Sequence, residues 1–587
     1  MQINRNIIWA DTFINQLVSL GVRYCSLAPG SRSTSLILSI VQNYNIKSFV
    51  HIDERSAGFF ALGLAKSTNT PVLLVTTSGT AAAEIYPAII EAYQQRIPLI
   101  VCTADRPAYS RNCGTNQTIN QENLYKNHIR WFRDAGLPSV TKSKLEHVKS
   151  LALNAFKISY YLDRGPVHIN FPFEKPFEPE SITDEIAPEI IFSALNAKKL
   201  NHKKAISIDV QRQLNKISNK IKVSKTGLII AGPEEFSQQK ADSLKKLSTT
   251  LNFPIISDGA SQLRFGYDLN GNILSNFDLV IYSNRIAGKI KPDIVLQFGR
   301  TPTSRRIDKF LSALECSRYI INPFGDLFDP SKTSTAVIKT DIETFSDFII
   351  NKAGKKKFNI VAEQQNKILV HAENIAEALK EKVIDFLPFP DEARTMRELF
   401  KSFPDESNIM VSNSLPIRDL DSFVSPEKKN LQIYFNRGAS GIDGITSTAF
   451  GISAGSGRRT FLITGDLAFF HDTNGLLYFT KHKFPLTIII LNNSGGGIFY
   501  SLPISRHKKA FDEYFVVPSN LNFRFITKSF KGRYKNVKSW DELRNEIRNS
   551  KSDKLSVLEI KTDASKSLAT RKKYLEKLKV ILEKKLC

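Results

Sequence analysis

Asp466 and Asn493 stand twenty-seven residues apart, each close behind an apolar run. Asp466 lies in Gly465-Asp466-Leu467 after Phe461-Leu462-Ile463-Thr464, and Asn493 follows Asn492 after the run Leu486 to Leu491. A carboxylate and an amide oxygen suit a hard cation, and a magnesium ion held this way clamps the phosphates of a ligand. Alone, each segment has the composition of a turn. Paired at this spacing, they read as a cation site.

Chemistry of this kind needs elements that bring the two loops together. Phe461 to Thr464 and Leu486 to Leu491 read as buried parallel strands, with a helix over His471 to Lys481 between them. Both ligands then fall at the carboxyl ends of parallel strands, where open α/β sheets place what they bind. The first part of the chain repeats the pattern, with apolar runs Tyr24 to Leu27, Phe49 to Ile52, Val72 to Thr76 and Leu99 to Thr103, and a later strand in Gly165 to Asn170. Three strand-to-helix junctions follow on one sheet edge: Pro29-Gly30-Ser31-Arg32-Ser33, His51-Ile52-Asp53-Glu54-Arg55 and Thr77-Ser78-Gly79-Thr80. The first is either a plain turn or an anion site made of free backbone N–H groups. Glu54 is either a helix N-terminal acid favoured by the dipole or a buried carboxylate that handles a proton.

A chain of 587 residues spans about three or four domains. The alternation of strands and helices predicts three successive doubly wound α/β domains, over 1–182, 190–350 and 388–565, with a basic C-terminal helix over 566–587. Pro176 to Glu189 reads as a linker and Asn351 to Lys382 as a charged helical connector. The middle domain begins near Gly227 to Pro233 and continues through Phe253 to Ile256 and Ile294 to Phe298.

The formal charge of +24 could attract nucleic acid. The lysines are dispersed or lie in helical stretches such as Lys355 to Lys357 and Lys566 to Lys585, without a nucleic-acid-binding motif. They read as a solvated surface that steers small anions. No apolar stretch has the length of a membrane span, and Met1 to Trp9 lacks a secretory apolar segment, so the expectation is a cytoplasmic protein. The five cysteines form no CxxC pair and read as small core fillers, with Cys587 a free terminal thiol.

Taken together, the Glu54 junction, the Thr77 to Thr80 loop, the Asp466 and Asn493 pair and the domain order resemble the thiamine diphosphate enzymes of the pyruvate decarboxylase and acetolactate synthase type. More narrowly, the chain is similar to the branch of that family that acts in menaquinone (vitamin K2) biosynthesis. The blocks that carry this are Pro29 to Thr34, Thr103-Ala104-Asp105-Arg106-Pro107, Gly114-Thr115-Asn116-Gln117, Asn413 to Asp419, Asn436 to Gly444 and Gly465 to Leu467.

The resemblance implies that 1–182 binds the aminopyrimidine of thiamine diphosphate and 388–565 its diphosphate. The metal, magnesium or manganese, would be held by Asp466, Asn493 and the Gly495 carbonyl. Glu54 would bond the aminopyrimidine ring. Thr77, Ser78, Gly79, Gly465 and Leu467 would line the cofactor, and Ile442, Ile498 and Phe499 would either wall it or pack in the core. The implied reaction is decarboxylation of 2-oxoglutarate and 1,4-addition of the resulting four-carbon carbanion to isochorismate. The alternative is another decarboxylase or carboligase such as an acetolactate synthase.

Both implied substrates are dianions, and the planar fork of arginine suits carboxylates. Arg32, Arg106, Arg418 and Arg437 are the candidates, with Ser31, Asn116, Gln117 and Ser414 as neutral partners. The family's middle-domain lysine is absent from Thr301-Pro302-Thr303-Ser304-Arg305-Arg306, where Arg305 is the replacement expected. His51 could be mistaken for a base, but a structural role is favoured. The resemblance further implies a homodimer or tetramer with sites completed across the subunit interface.

Overall fold

The structure, a computed structural model of the chain, describes residues 4–179, 187, 189–190, 196–198, 207–234, 236–266, 273–354, 359–482, 484–518, 521–550 and 554–587. Lys355 to Lys357 and most of the stretch from Pro176 to Glu189 lie outside the described residues.

Three six-stranded parallel sheets succeed one another, as three α/β domains require. The first comprises β1 (Tyr24–Ala28), β2 (Lys47–Val50), β3 (Val72–Thr76), β4 (Leu99–Asp105), β5 (Trp131–Asp134) and β6 (Val167–Pro172), in the order β2-β1-β3-β4-β6-β5. The middle sheet comprises β7 (Gly227–Ala231), β8 (Ile255–Ser257), β9 (Ile273–Leu274), β10 (Ile294–Phe298), β11 (Ser317–Asn322) and β12 (Ala336–Lys339), in the order β12-β11-β10-β7-β8-β9. The third comprises β13 (Asn408–Val411), β14 (Gln432–Tyr434), β15 (Thr460–Gly465), β16 (Leu486–Asn492), β17 (Arg533–Asn536) and β18 (Ser556–Lys561), in the order β14-β13-β15-β16-β18-β17.

The central strands β3, β4 and β7 are buried at every residue, as expected of strands covered on both faces. In the third sheet, β15 and β16 pair from Thr460 with Leu486 to Gly465 with Leu491, so the ends that carry Asp466 and Asn493 are in register.

Several expected elements differ at their ends, and two of the differences are larger or bear on the site. The second strand ends at Val50 rather than Ile52, which is exposed beyond it. The helix expected over His471 to Lys481 begins earlier, at Asp466, and breaks after His471 before a short helix over Leu477–Lys481. The break has a cause: buried Asp472 turns its carboxylate onto Ser447, accepting from the backbone N–H at 2.7 Å and from Oγ at 3.0 Å. Among the cysteines, Cys25 and Cys102 are core residues, Cys316 is half-buried, and Cys113 is exposed, so the core reading fails for Cys113.

One hydrophobic core joins the first and third sheets. It runs from Leu74 and Phe60 through Ala449 and Phe450 to Leu462 and Ile488. Helices Glu54–Thr68 and Ile445–Ser456 cross within it. Burying Phe59, Phe60 and Phe450 there contributes roughly 1.5–3 kcal/mol each. The C-terminal helix Ala564–Leu586 is amphipathic in practice: Tyr574, Leu578 and Leu582 join the core of the middle domain, and its lysines face outward. No helix among the described residues is long and apolar enough to cross a membrane.

Candidate functional site

The carboxyl edge of the third sheet presents a row of oxygen atoms that no donor satisfies among the described residues. Asn413 follows β13, Asn436 lies just beyond β14, Asp466 follows β15 and Asn493 follows β16. Each carries one buried oxygen without a hydrogen-bond partner: Asn413 Oδ1, Asn436 Oδ1, Asp466 Oδ2 and Asn493 Oδ1. Buried polar atoms are normally paired, so such a row is a candidate site for a cation or donor groups.

Local geometry aims these atoms. Asn413 donates through Nδ2 to the carbonyls of Asn436 at 2.6 Å and Gly441 at 2.7 Å, which leaves its oxygen free. Asn436 donates to Thr448 Oγ1 at 3.0 Å. Asn493 donates through Nδ2 to Glu392 Oε1 at 3.0 Å, so its Oδ1 is likewise turned away. The Asp466 carboxylate faces the backbone N–H groups of Leu467 and Gly495, which ties the two loops together. Burial pushes Asp466 up to about 6 against these backbone bonds. Gly495 has φ +127°, and a Cβ there would stand 2.1 Å from Val516 O, so only glycine fits this turn. Its carbonyl accepts from Gly497 N–H at 2.9 Å and keeps a second lone pair.

The other expected cofactor contacts are distributed around this edge. Gly465 and Leu467 flank Asp466 and are half-buried. Ile442, Ile498 and Phe499 are also half-buried, with Phe499 packed edge-on against Phe515 at 5.6 Å.

At the carboxyl edge of the first sheet the three expected junctions converge. A Cβ on Gly30 would meet the Thr77 side chain at 2.5 Å, and one on Gly79 would meet Gln117 Cγ at 2.8 Å. Ser78 Oγ donates to the Gln117 carbonyl at 3.0 Å, and Arg106 donates to the Asn116 carbonyl at 2.7 and 3.0 Å. Arg32 is buried, donates to the Phe173 carbonyl at 2.8 Å and lies 4.9 Å from the Phe177 ring. Burial and then Arg106 lower its pKa. Ser31, Asn116 and Gln117 are exposed. Arg32, Arg106, Tyr109 and Lys175 line a cleft of about 440 Å³ made of first-domain residues.

Glu54 is the first residue of its helix, capped by the Asp53 side chain on Ser56 N–H at 2.9 Å. Its carboxylate is half-buried and makes no hydrogen bond or ion pair with another described residue. Its neighbours are fixed: Asn474 Nδ2 donates to Asp53 at 2.8 Å, and Arg55 donates to the His471 carbonyl at 2.9 Å. His51 is buried and stacked on Tyr478 at 4.8 Å. Burial, then His482, hold its pKa down at about 3, so it is a neutral packing group at the domain junction.

Arg305, Arg418 and Arg437 form a second basic group. Burial first, then Arg437 and Arg305, lower the pKa of Arg418, whose guanidinium donates to the Ser414 carbonyl. Ser414 has φ +73°, a strained conformation for a residue with a Cβ, directly before the helix that bears Arg418. Arg305 is exposed on the first turn of Arg305–Ser312, while Arg306 is paired with Asp278. Within one chain the arginines therefore fall into two sets, one on the first domain and one between the middle and third.

Sequence reading missed the acids that hold these loops. Glu91, in the apolar stretch Ala88-Ile89-Ile90-Glu91-Ala92, accepts from Gly438 N–H at 2.7 Å and Ala439 N–H at 2.6 Å, pinning the Arg437 loop. Glu392, Asp419 and Arg571 form a buried group behind Asn493. For Glu91, an acid inside an apolar helical pattern was the available signal.

Comparison with known proteins agrees with this arrangement. Residues 9–124 match the thiamine pyrophosphate enzyme N-terminal TPP binding domain, 197–411 the middle domain of thiamine pyrophosphate enzymes and 425–560 the C-terminal TPP binding domain. The chain is 36% identical over 569 residues to the 2-succinyl-5-enolpyruvyl-6-hydroxy-3-cyclohexene-1-carboxylate synthase of Trichodesmium erythraeum (strain IMS101), covering 95% of this chain and 96% of that one. The chain belongs to the 2-succinyl-5-enolpyruvyl-6-hydroxy-3-cyclohexene-1-carboxylate synthase family. The synthase of Haloarcula marismortui is 34% identical with 98% of each chain covered, and that of Geobacillus kaustophilus 35% with 96% of each. Membership in this synthase family makes the chain a thiamine diphosphate enzyme, and the two TPP binding matches fall on the first and third sheets, over β1 to β4 and β14 to β18.

Proposed function

We propose that the chain binds thiamine diphosphate through a divalent cation, magnesium or manganese, at Asp466, Asn493 and Gly495, and joins 2-oxoglutarate to isochorismate with loss of carbon dioxide, in menaquinone biosynthesis. The observation that carries this reading is the pair of orphaned oxygens, Asp466 Oδ2 and Asn493 Oδ1, at adjacent strand ends. Two acceptors side by side repel a bare diphosphate and suit a cation that bridges to it.

Thiamine diphosphate, when bound, supplies the electron sink for decarboxylation of a 2-oxo acid. Glu54, without a partner among the described residues, holds a proton at the aminopyrimidine ring nitrogen. Thr77, Ser78 and Gly79 orient that ring, while Gly465, Leu467, Ile442, Ile498 and Phe499 exclude water from the rest of the cofactor. The two arginine sets bind the carboxylates of the substrates: Arg32 and Arg106 with Ser31, Asn116 and Gln117, and Arg418 and Arg437 with Ser414 and Arg305. Each charge-assisted hydrogen bond contributes roughly 1.5–3 kcal/mol, so five arginines suit two dianions better than they suit pyruvate. The reading includes a homodimer or larger assembly in which one chain's first domain faces its partner's third. It also includes a cytoplasmic location.

The test is turnover by purified protein with thiamine diphosphate and Mg2+, following isochorismate loss and carbon dioxide release. Product is expected only when 2-oxoglutarate and isochorismate are both present. Pyruvate turnover exceeding that of 2-oxoglutarate would move the assignment to an acetolactate synthase-type reaction, and absence of product with both substrates would end it.

A further inference from the structure

The C-terminal helix reaches the cation site. Arg571, on its second turn, donates to Glu392 Oε2 at 2.8 Å and to both oxygens of Asp419 at 3.1 and 2.6 Å. Glu392 is 1% exposed, and its other oxygen accepts from Asn493 Nδ2 at 3.0 Å and Thr562 Oγ1 at 2.9 Å. Asp419 is buried next to Arg418 on the helix Leu415–Phe423. The C-terminal helix also packs against the turn Gly497–Ser501, which carries Ile498 and Phe499.

A side-chain amide has two ends of nearly equal size, and only its oxygen can ligate a cation. A carboxylate paired with a guanidinium is an acceptor only, so Glu392 takes the amide NH2 and forces the oxygen the other way. A buried carboxylate is expensive without a counter-charge, and Arg571 supplies it. We propose that Arg571 is a positioning residue: through Glu392 it fixes the orientation in which Asn493 Oδ1 faces the cation, and through Asp419 it holds the helix of Arg418 against the same anchor. This gives the basic C-terminal helix a function beyond packing, and it rests on the reading of Asp466 and Asn493 as the cation site.

The test titrates Mg2+ into the full-length apoprotein at fixed thiamine diphosphate, by calorimetry, beside thermal unfolding of each apoprotein. Arg571→Met is expected to raise the half-saturating Mg2+ concentration by about 10–100-fold, the usual effect of removing a group that orients a metal ligand. Arg571→Lys, which keeps the charge but not the fork, should fall between, and it carries the test if the Met variant does not fold. Leu582→Ala, which removes packing of the same helix against the middle domain, should lower the unfolding temperature and leave the Mg2+ midpoint unchanged. In an Asn493→Ala background, Arg571→Lys should cause no further rise, since both act through one ligand. Arg571 variants that lose stability but bind Mg2+ like the wild type would overturn the proposal. Wild-type protein that binds thiamine diphosphate without any Mg2+ dependence would overturn the cation-site reading itself, and the proposal with it.

Discussion

Gly63 of the first domain and Gly451 of the third meet where their two helices cross. A Cβ on Gly63 would stand 2.1 Å from Thr448 O, and one on Gly451 would stand 2.1 Å from Phe60 O. The obstacles are backbone atoms, which no rotamer change removes. In an exposed helix, glycine to alanine gains about 1 kcal/mol of helix propensity. At this crossing, overpacking of about 1–3 kcal/mol or more reverses the sign. Gly63→Ala and Gly451→Ala should therefore each lower stability in urea unfolding, and stabilisation by either would show that the helices do not cross here.

Much of this arrangement was legible in the sequence, and for physical reasons. The strand ends at Thr76 and Phe298 could be placed, and that at Gly465 to within one residue, because buried parallel strands are unbroken apolar runs between turn residues. Edge strands such as Trp131–Asp134 and Arg533–Asn536 were not, because half-exposed four-residue segments carry no such run. The places of Asp466 and Asn493 just beyond two buried strands were legible from the apolar runs before them. Glu392 and Arg571 were not, because a buried pair 179 residues apart looks, in sequence, like two surface charges.

Removing the cation should weaken the protein as well as its cofactor affinity. A ligand present at a hundred times its Kd stabilises the folded state by about 2.7 kcal/mol. Dialysis against a chelator is expected to release thiamine diphosphate and lower Tm, with Mg2+ plus thiamine diphosphate restoring it. Asp466→Asn keeps the shape and loses the charge, so its apoprotein should fold while its Tm no longer responds to that addition. A full Tm response in the variant would remove Asp466 from the metal shell.

The contribution of Asp472 to stability should fall as pH rises from 4 to 7, opposite in sign to that of the buried neutral histidines His51 and His168. Burial pushes the Asp472 carboxyl up to about 7 from an ordinary 3.8, against the two bonds from Ser447 and the nearby Arg55. Between those values the folded chain holds a proton that the unfolded chain has released, so unfolding is favoured by rising pH. The contribution is at most about 4 kcal/mol, complete above pH 7 and absent below the unfolded value. Asp472→Asn can still accept from Ser447 N–H and carries no charge to bury. Its urea-unfolding free energy should exceed that of the wild type at pH 7.5 and converge with it near pH 4; parallel pH profiles would exclude Asp472 as a source.

The separation of the two arginine sets can be tested without a structure of the assembly. Arg106 lines a cleft of first-domain residues, while the charges that act on Arg418 are Arg437, Arg305 and Asp419. Arg106→Ala and Arg418→Ala should each lower kcat/KM by about ten- to hundredfold, the loss of one charge-assisted contact. If one chain's first domain faces its partner's third, a mixed dimer of the two variants contains one site with both mutations and one with neither. Random assembly of equal amounts makes half the dimers mixed, so co-expression should recover about one quarter of wild-type activity. Each variant expressed alone should stay at its own ten- to hundredfold lower level. Activity in the co-expressed sample no higher than that of the variants alone would mean that both arginines serve a site within a single chain, and the interface-shared reading would fall.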